Sequence, residues 1–167
     1  FLVLLLGSAG RINAQCQIVT LPYGIVETDI NRGYKIIPTQ DGHFVIAGEW
    51  NAEAFLLKVN AQGQQVALKK FGADITGTSS FRDVTEAPDG GFVAVGECRD
   101  CVPGDATVKV VALKTDANLE PDAAIGVKKF GTVTLPGGFV TQDQQSAPRI
   151  LRTGDQYLLA TKLAIHT

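Results

Sequence analysis

Thr39–Trp50, TQDGHFVIAGEW, decides the fold, because the chain repeats it at Ala87–Cys98, APDGGFVAVGEC. Each copy is a polar turn followed by an apolar run that ends in Gly-Glu. Phe44 and Phe92 lie 48 residues apart. Asp-Gly between apolar runs signals a hairpin, since both residues tolerate the positive φ of a type I′ turn. A third, weaker copy is Asp155–Thr161, DQYLLAT, entered through Thr153-Gly154.

The flanks of these copies correspond as well. Before them stand Gly33–Thr39 (GYKIIPT), Phe81–Ala87 (FRDVTEA) and Arg149–Thr153 (RILRT). After them stand Ala54–Val59 (AFLLKV) and Lys109–Lys114 (KVVALK), each followed by a polar turn, NAQG at Asn60–Gly63 and TDAN at Thr115–Asn118. A last strand then closes on an aromatic-Gly pair, in Leu68–Gly72 (LKKFG) and Val127–Gly131 (VKKFG), with Tyr23-Gly24 as an earlier instance. Tyr23 to Phe71 is again 48 residues, whereas Phe71 to Phe130 is 59. The longer second unit carries two insertions, Arg99–Thr107 and Thr132–Ser146.

Four short strands repeating every 40–50 or so residues describe a β-propeller blade. A blade is an antiparallel sheet that cannot bury both faces alone, so blades stack around an axis. A β-sandwich does not repeat at this period, and solenoid repeats are shorter. The expected fold is therefore all-β, a β-propeller fragment of four-stranded antiparallel blades. Blade one spans 33–72, blade two 81–131, and a third begins at 147–167. An orphan strand at 17–24 is expected to complete the last blade and remove an open edge.

Composition narrows the class. The chain has 167 residues and no Met, and it opens inside an apolar run, so it reads as a piece of a longer protein. Net charge is −2 and only 19% of residues are charged, which leaves no basic excess to attract nucleic acid. Phe1–Leu6 (FLVLLL), then Gly-Ser-Ala-Gly and Ile12-Asn13-Ala14-Gln15, has the order of the back half of a secretory signal peptide, with cleavage expected after Ala14. Residues 1–14 are thus expected to be a truncated signal peptide and 15–167 the partial propeller. A buried apolar strand is the alternative. Six apolar residues fall short of the about 20 that span a bilayer, and Gln15 before Cys16 does not suit lipidation.

The pattern resembles the propeller-like repeats of secreted, cell-surface proteins of Bacteroidetes, which often end in a sorting domain for type IX secretion. The resemblance rests on Asp41–Gly48, Leu57–Gly63 and Lys69–Gly72, and in the second copy on Asp89–Gly96, Leu113–Asp116 and Lys128–Gly131. It departs where those repeats often carry Trp, near Val66 and Ile125 here. It implies location more than activity.

In four-stranded repeats, the connections from second to third strand and from fourth to next first strand share one end. Both insertions fall there, and variable loops on a rigid scaffold are where binding resides. The expected interaction loops contain Arg99, Asp100, Asp105, Thr132, Thr134, Gln142 and Asp143. Cys98 and Cys101 read as a local disulfide pinning the first insertion. Free thiols, or half of a metal or redox site, are the alternatives, although further ligands are far off in the repeat. His43 reads as a solvated turn residue, and Lys69-Lys70 and Lys128-Lys129 as solvated edges. No catalytic triad, P-loop, dinucleotide fingerprint or calcium loop can be read. The expected function is an exported, non-enzymatic interaction scaffold at the cell surface, binding a protein or glycan, without cofactor, nucleic acid or membrane insertion after signal removal. The alternative is a propeller enzyme, of hydrolase, lyase or dehydrogenase type, with its catalytic residues in other blades.

Overall fold

The structure, a computed structural model, describes residues 31–105, 107–131 and 148–161 in full, and only the backbone of residues 2–4, 18–20, 133–134, 140–142 and 164–165. In chain order the elements are β1 (Leu2–Leu4), β2 (Ile18–Thr20), β3 (Asn31–Pro38), β4 (Phe44–Trp50), β5 (Glu53–Val59), β6 (Gln65–Lys70), α1 (Gly72–Ile75), β7 (Thr78–Glu86), β8 (Phe92–Arg99) and β9 (Lys109–Thr115). They continue with β10 (Val127–Phe130), β11 (Val133–Thr134), β12 (Val140–Gln142), β13 (Arg149–Thr153), β14 (Gln156–Ala160) and β15 (Ala164–Ile165). The fold is all-β. Two four-stranded antiparallel meanders, β3-β4-β5-β6 and β7-β8-β9-β10, follow one another, and β13-β14 forms a third hairpin.

The repeat is reproduced residue by residue in the registers. Ile37 pairs with Val45, Thr85 with Val93, and Leu151 with Leu158, each one step inward from the turn pairs Pro38–Phe44, Glu86–Phe92 and Arg152–Tyr157. Both faces of β4 are apolar and both are buried. Val45 and Ala47 join a core shared with the second sheet, while Ile46 and Trp50 join a separate cluster with Phe55, Leu57 and Val59.

That division fixes how the sheets stack. Phe92 and Ala94, the counterparts of Phe44 and Ile46, face the first sheet, whereas Phe44 and Ile46 face away from the second. The two sheets therefore stack head to tail, one face of each against the opposite face of its neighbour. Phe71 seals the contact from the end of the first sheet, its ring 5.3 Å from that of Phe81, with both residues fully buried. α1 follows at once and drives Ile75 into the same core.

The turns correct one expectation. In 39–43, 60–64, 87–91 and 116–120 the same hydrogen bonds recur, for example Thr39 N–H to His43 O at 2.9 Å and Gly42 N–H to Thr39 O at 3.0 Å. Gly42, Gly63, Gly90 and Leu119 sit at the left-handed position, with φ of 80, 76, 79 and 70°. The Asp residues before Gly42 and Gly90 are not left-handed. These are thus type I turns closed by a left-handed residue, not type I′ turns. The residue that needs positive φ is Gly, and Asp serves instead as the acceptor for the turn's N–H groups: Asp89 Oδ1 accepts from Gly91 N–H at 3.0 Å. A two-residue turn with both φ positive does occur, at Asn51 (50°) and Ala52 (65°) between β4 and β5.

Three further pairings involve the short strands. Part of the second insertion is paired: β11 pairs with β12, and β12 with β15. Ala164–Ile165 therefore adds to that small sheet and not to β14. The fourth-type strand expected at 17–24 is represented by β2, which pairs with β1, inside the expected signal segment.

Candidate functional site

The recurring Gly-Glu that ends the repeated strand has a backbone reason. β3 and β7 each contain a bulge, between Gly33 and Lys35 and between Phe81 and Asp83. A Cβ on Gly48 would lie 2.0 Å from Arg32 O, and one on Gly96 1.8 Å from Ser80 O. Only glycine lets the bulged backbone come this close. The bulge inserts one extra residue per sheet, Tyr34 in the first and Arg82 in the second, and re-aims its side chain.

Both extra side chains meet the Glu of Gly-Glu. Tyr34 Oη donates to Glu49 Oε2 at 3.0 Å, and Arg82 Nη2 lies 3.4 Å from Glu97 Oε2. Arg32 Nη1 approaches Glu49 Oε2 to 3.8 Å. The two pairs also meet across the sheets, since the Arg82 guanidinium sits 4.1 Å from the centre of the Tyr34 ring. Arg82 is thereby held by a ring on one side and a carboxylate at its tip. Its Nε is buried and finds no hydrogen-bond partner among the described residues.

Glu49, Arg82 and Glu97 line a groove of about 410 Å³ between the sheets, with Thr78, Ser80 and Arg99 among its other walls. It opens at the end where Asn51-Ala52, α1 and the long β8–β9 connection lie, opposite the four recurring turns. This is the end expected to carry the interaction surface. A volume of this size falls within the about 300–1,000 Å³ of small-ligand sites.

The expected site residues distribute unevenly. Arg99 ends β8, is exposed and lines the groove. Asp100 follows it, exposed and left-handed at φ 55°. Asp105 is occupied within its own loop: Oδ2 lies 2.5 Å from Lys109 Nζ, and Oδ1 accepts from Thr107 N–H at 2.9 Å. The Lys109 ammonium first, then Thr107, holds the Asp105 carboxyl well below the usual carboxylate range. Thr134 and Gln142 lie in β11 and β12, where only the backbone is described. Thr132 and Asp143 lie outside the described residues.

Cys98 and Cys101 are joined in a disulfide with Cα atoms 5.8 Å apart. Both are buried in the inter-sheet core, where Cys98 takes the place that Trp50 has in the first sheet. The Cys101 carbonyl accepts from Lys129 Nζ at 2.6 Å and Thr76 Oγ1 at 3.2 Å, tying the loop to β10 and to the end of α1. The lysine pairs are partly engaged: Lys69 meets Glu120 of the next sheet at 2.7 Å, and Lys70 lies 4.4 Å from the Trp50 ring centre. His43 Nδ1 stands 3.0 Å from Asp41 Oδ1 in its turn.

Ser79 Oγ accepts from Ala54 N–H at 3.0 Å, and no histidine among the described residues stands near the groove to act as a base. No cluster of three or more metal-ligating side chains occurs among the described residues, and none of their helices is long and apolar enough to cross a membrane. The sequence showed the recurring Gly-Glu but not its partners. Tyr34 and Arg82 share the 48-residue spacing but no chemistry, so nothing in the sequence marks both as bulge residues. No protein-family model and no curated protein matches the chain.

Proposed function

We propose that the two sheets are blades of a β-propeller and that the protein is an exported, non-enzymatic scaffold binding a protein or glycan at its Gly-Glu end. The observation that carries this reading is the repeated bulge. The device is identical in both sheets, yet the residue it aims differs, Tyr34 in one and Arg82 in the other. A constant frame that presents variable chemistry on one rim is how binding surfaces are built on repeat scaffolds.

Head-to-tail stacking supports the propeller. Such a contact repeats without limit or closes into a ring. Leu151 and Leu158, on the hairpin β13-β14, are 63% and 58% exposed. Their counterparts in the first sheet are half-buried Ile37 and fully buried Val45, which the second sheet covers. The hairpin thus offers the face on which a further sheet of the same repeat would sit. The apolar start of the chain, and the resemblance to repeats of exported Bacteroidetes proteins, support export.

The test has two readouts. Protease shaving of intact source cells should release the protein, and arrays of surface proteins and glycans probed with the chain should give a partner whose signal falls on Arg82→Ala. A cytoplasmic protein, or a partner indifferent to every groove substitution, would overturn the reading.

A further inference from the structure

We propose that the groove between the sheets is a saccharide subsite that takes a neutral, hydroxyl-rich ligand; this rests on the reading of that end as a binding surface and names its ligand class. The lining charges decide it. Glu49 and Glu97 stand against Arg82 and Arg99, so the formal charges of these groove walls cancel. An anion entering the groove meets two carboxylates, and a cation meets two guanidiniums. Removing either ligand from water without net compensation is unfavourable. A purely apolar ligand would leave these charged groups uncompensated, whereas the apolar surface of Ala52, Cys98 and Val108 suits the C–H face of a sugar ring.

What remains is a neutral ligand whose groups both donate and accept. A carboxylate only accepts and a guanidinium only donates, whereas a sugar hydroxyl does both. Vicinal hydroxyls can span a Glu oxygen and an Arg nitrogen side by side, which the Arg82–Glu97 approach of 3.4 Å provides. Arg82 is pre-oriented for this. The Tyr34 ring fixes one face of its guanidinium at 4.1 Å, and its buried Nε has no partner among the described residues. The hydroxyls of Thr78 and Ser80 line the same wall and add groups of the same double capacity.

The experiment is a titration of the ¹⁵N-labelled chain with maltotriose, cellotriose, xylotriose and chitotriose, and separately with trialanine amide as a peptide probe. At least one trisaccharide should shift the amides of Ala52, Thr78, Ser80 and Arg82 with a millimolar dissociation constant. Arg82→Ala should weaken that binding at least tenfold, and Asp89→Asn, at the opposite end, should leave it unchanged. Should Arg82→Ala disturb the spectrum beyond the groove, Arg99→Ala on the exposed rim serves in its place, with a several-fold loss expected. No groove shift with any trisaccharide at tens of millimolar overturns the saccharide assignment. Shifts with trialanine amide alone overturn it too, while leaving the binding-surface reading standing.

Discussion

Lys58 Nζ lies 2.8 Å from Asp41 Oδ2 and 3.3 Å from the carbonyl oxygen of Ala117, so one ammonium ties a turn of its own sheet to a turn of the next. The first half of this tie recurs in the second sheet, where Lys114 Nζ lies 2.5 Å from Asp89 Oδ2. Asp of the Asp-Gly turn and Lys of the Leu-Lys strand are therefore one structural unit, 17 and 25 residues apart in sequence.

This unit makes stability depend on pH. Lys58 first, then the Thr39 hydroxyl, holds the Asp41 carboxyl well below the usual carboxylate range, and Lys114 likewise lowers that of Asp89. A group whose folded pKa is depressed contributes stability above its unfolded value, about 3.9 for Asp, and loses it as pH falls through the folded value. The urea midpoint should thus fall steadily as pH drops below about 4, and Asp41→Asn should flatten that fall. Asp41 is half exposed, so screening keeps its part at about 1 kcal/mol or less. An acid limb unchanged in the Asp41→Asn, Asp89→Asn double variant would contradict the assignment.

Gly96→Ala tests the bulge. Its new Cβ would stand 1.8 Å from a main-chain oxygen of β7, which no side-chain rotation relieves. The bulge would have to open, with a loss of about 1–3 kcal/mol, the range of an overpacked core. Gly90→Ala is the comparison. It meets nothing within 4 Å but sits at φ 79°, so its loss of about 1 kcal/mol comes from conformation alone. Urea denaturation ranks the two, and a Gly96→Ala change no larger than that of Gly90→Ala would refute the close approach.

The order of strands and turns was legible because 48-residue spacing aligns apolar residues at the same position of the repeat, as Phe44 and Phe92 are. Three things were not legible. A bulge changes which residues pair without changing the spacing of the repeat, so Tyr34 and Arg82 left no mark. The choice of turn type depends on φ, and Asp-Gly is compatible with more than one. Polar ties across sheets, such as Lys58 to Ala117, join residues in different repeats that no periodicity relates. The groove belongs to this last class: its carboxylates recur in sequence, but what they bind does not.

Leu119 sets conformation against burial. It occupies the left-handed position that Gly63 fills in the first sheet, at φ 70°, while its side chain is fully buried in the inter-sheet core. Left-handed backbone is unfavourable for a non-glycine residue by about 1–2 kcal/mol. Emptying a buried leucine site costs about 2–5 kcal/mol. Burial outweighs strain, so Leu119→Gly should destabilise by about 1–3 kcal/mol, and Leu119→Ala, which keeps the strain, by more. A Leu119→Gly chain with a raised melting temperature would show that the side chain packs less than the geometry indicates.

The disulfide closes a ring of only four residues, Cys98–Cys101, so its effect on the unfolded chain is small. Loop-closure entropy gives about 2 kcal/mol. Its two sulfurs also fill core volume that Trp50 occupies in the first sheet. Cys98→Ser with Cys101→Ser should therefore destabilise by more than this entropy alone, and Cys98→Ala with Cys101→Val by less. Peptide mass mapping without reductant should return the two residues linked. Finding both as alkylated thiols in protein made in an oxidising compartment would remove the loop's pin.

Phe71 and Phe130 occupy the same place in the repeat, yet only one is covered. Phe71 is fully buried, packs edge-on against Phe81 and carries the chain into the next sheet, whereas Phe130 is 47% exposed. Phe71→Ala should cost about 3–5 kcal/mol and separate the sheets, and Phe130→Ala should fall well below that in the chain as it stands. In a longer product of the reading frame in which a further sheet docks on β13-β14 as the second docks on the first, Leu158→Cys reacts with maleimide at least tenfold more slowly than in this chain. Equal reactivity in both forms would mean that the head-to-tail series stops at this hairpin.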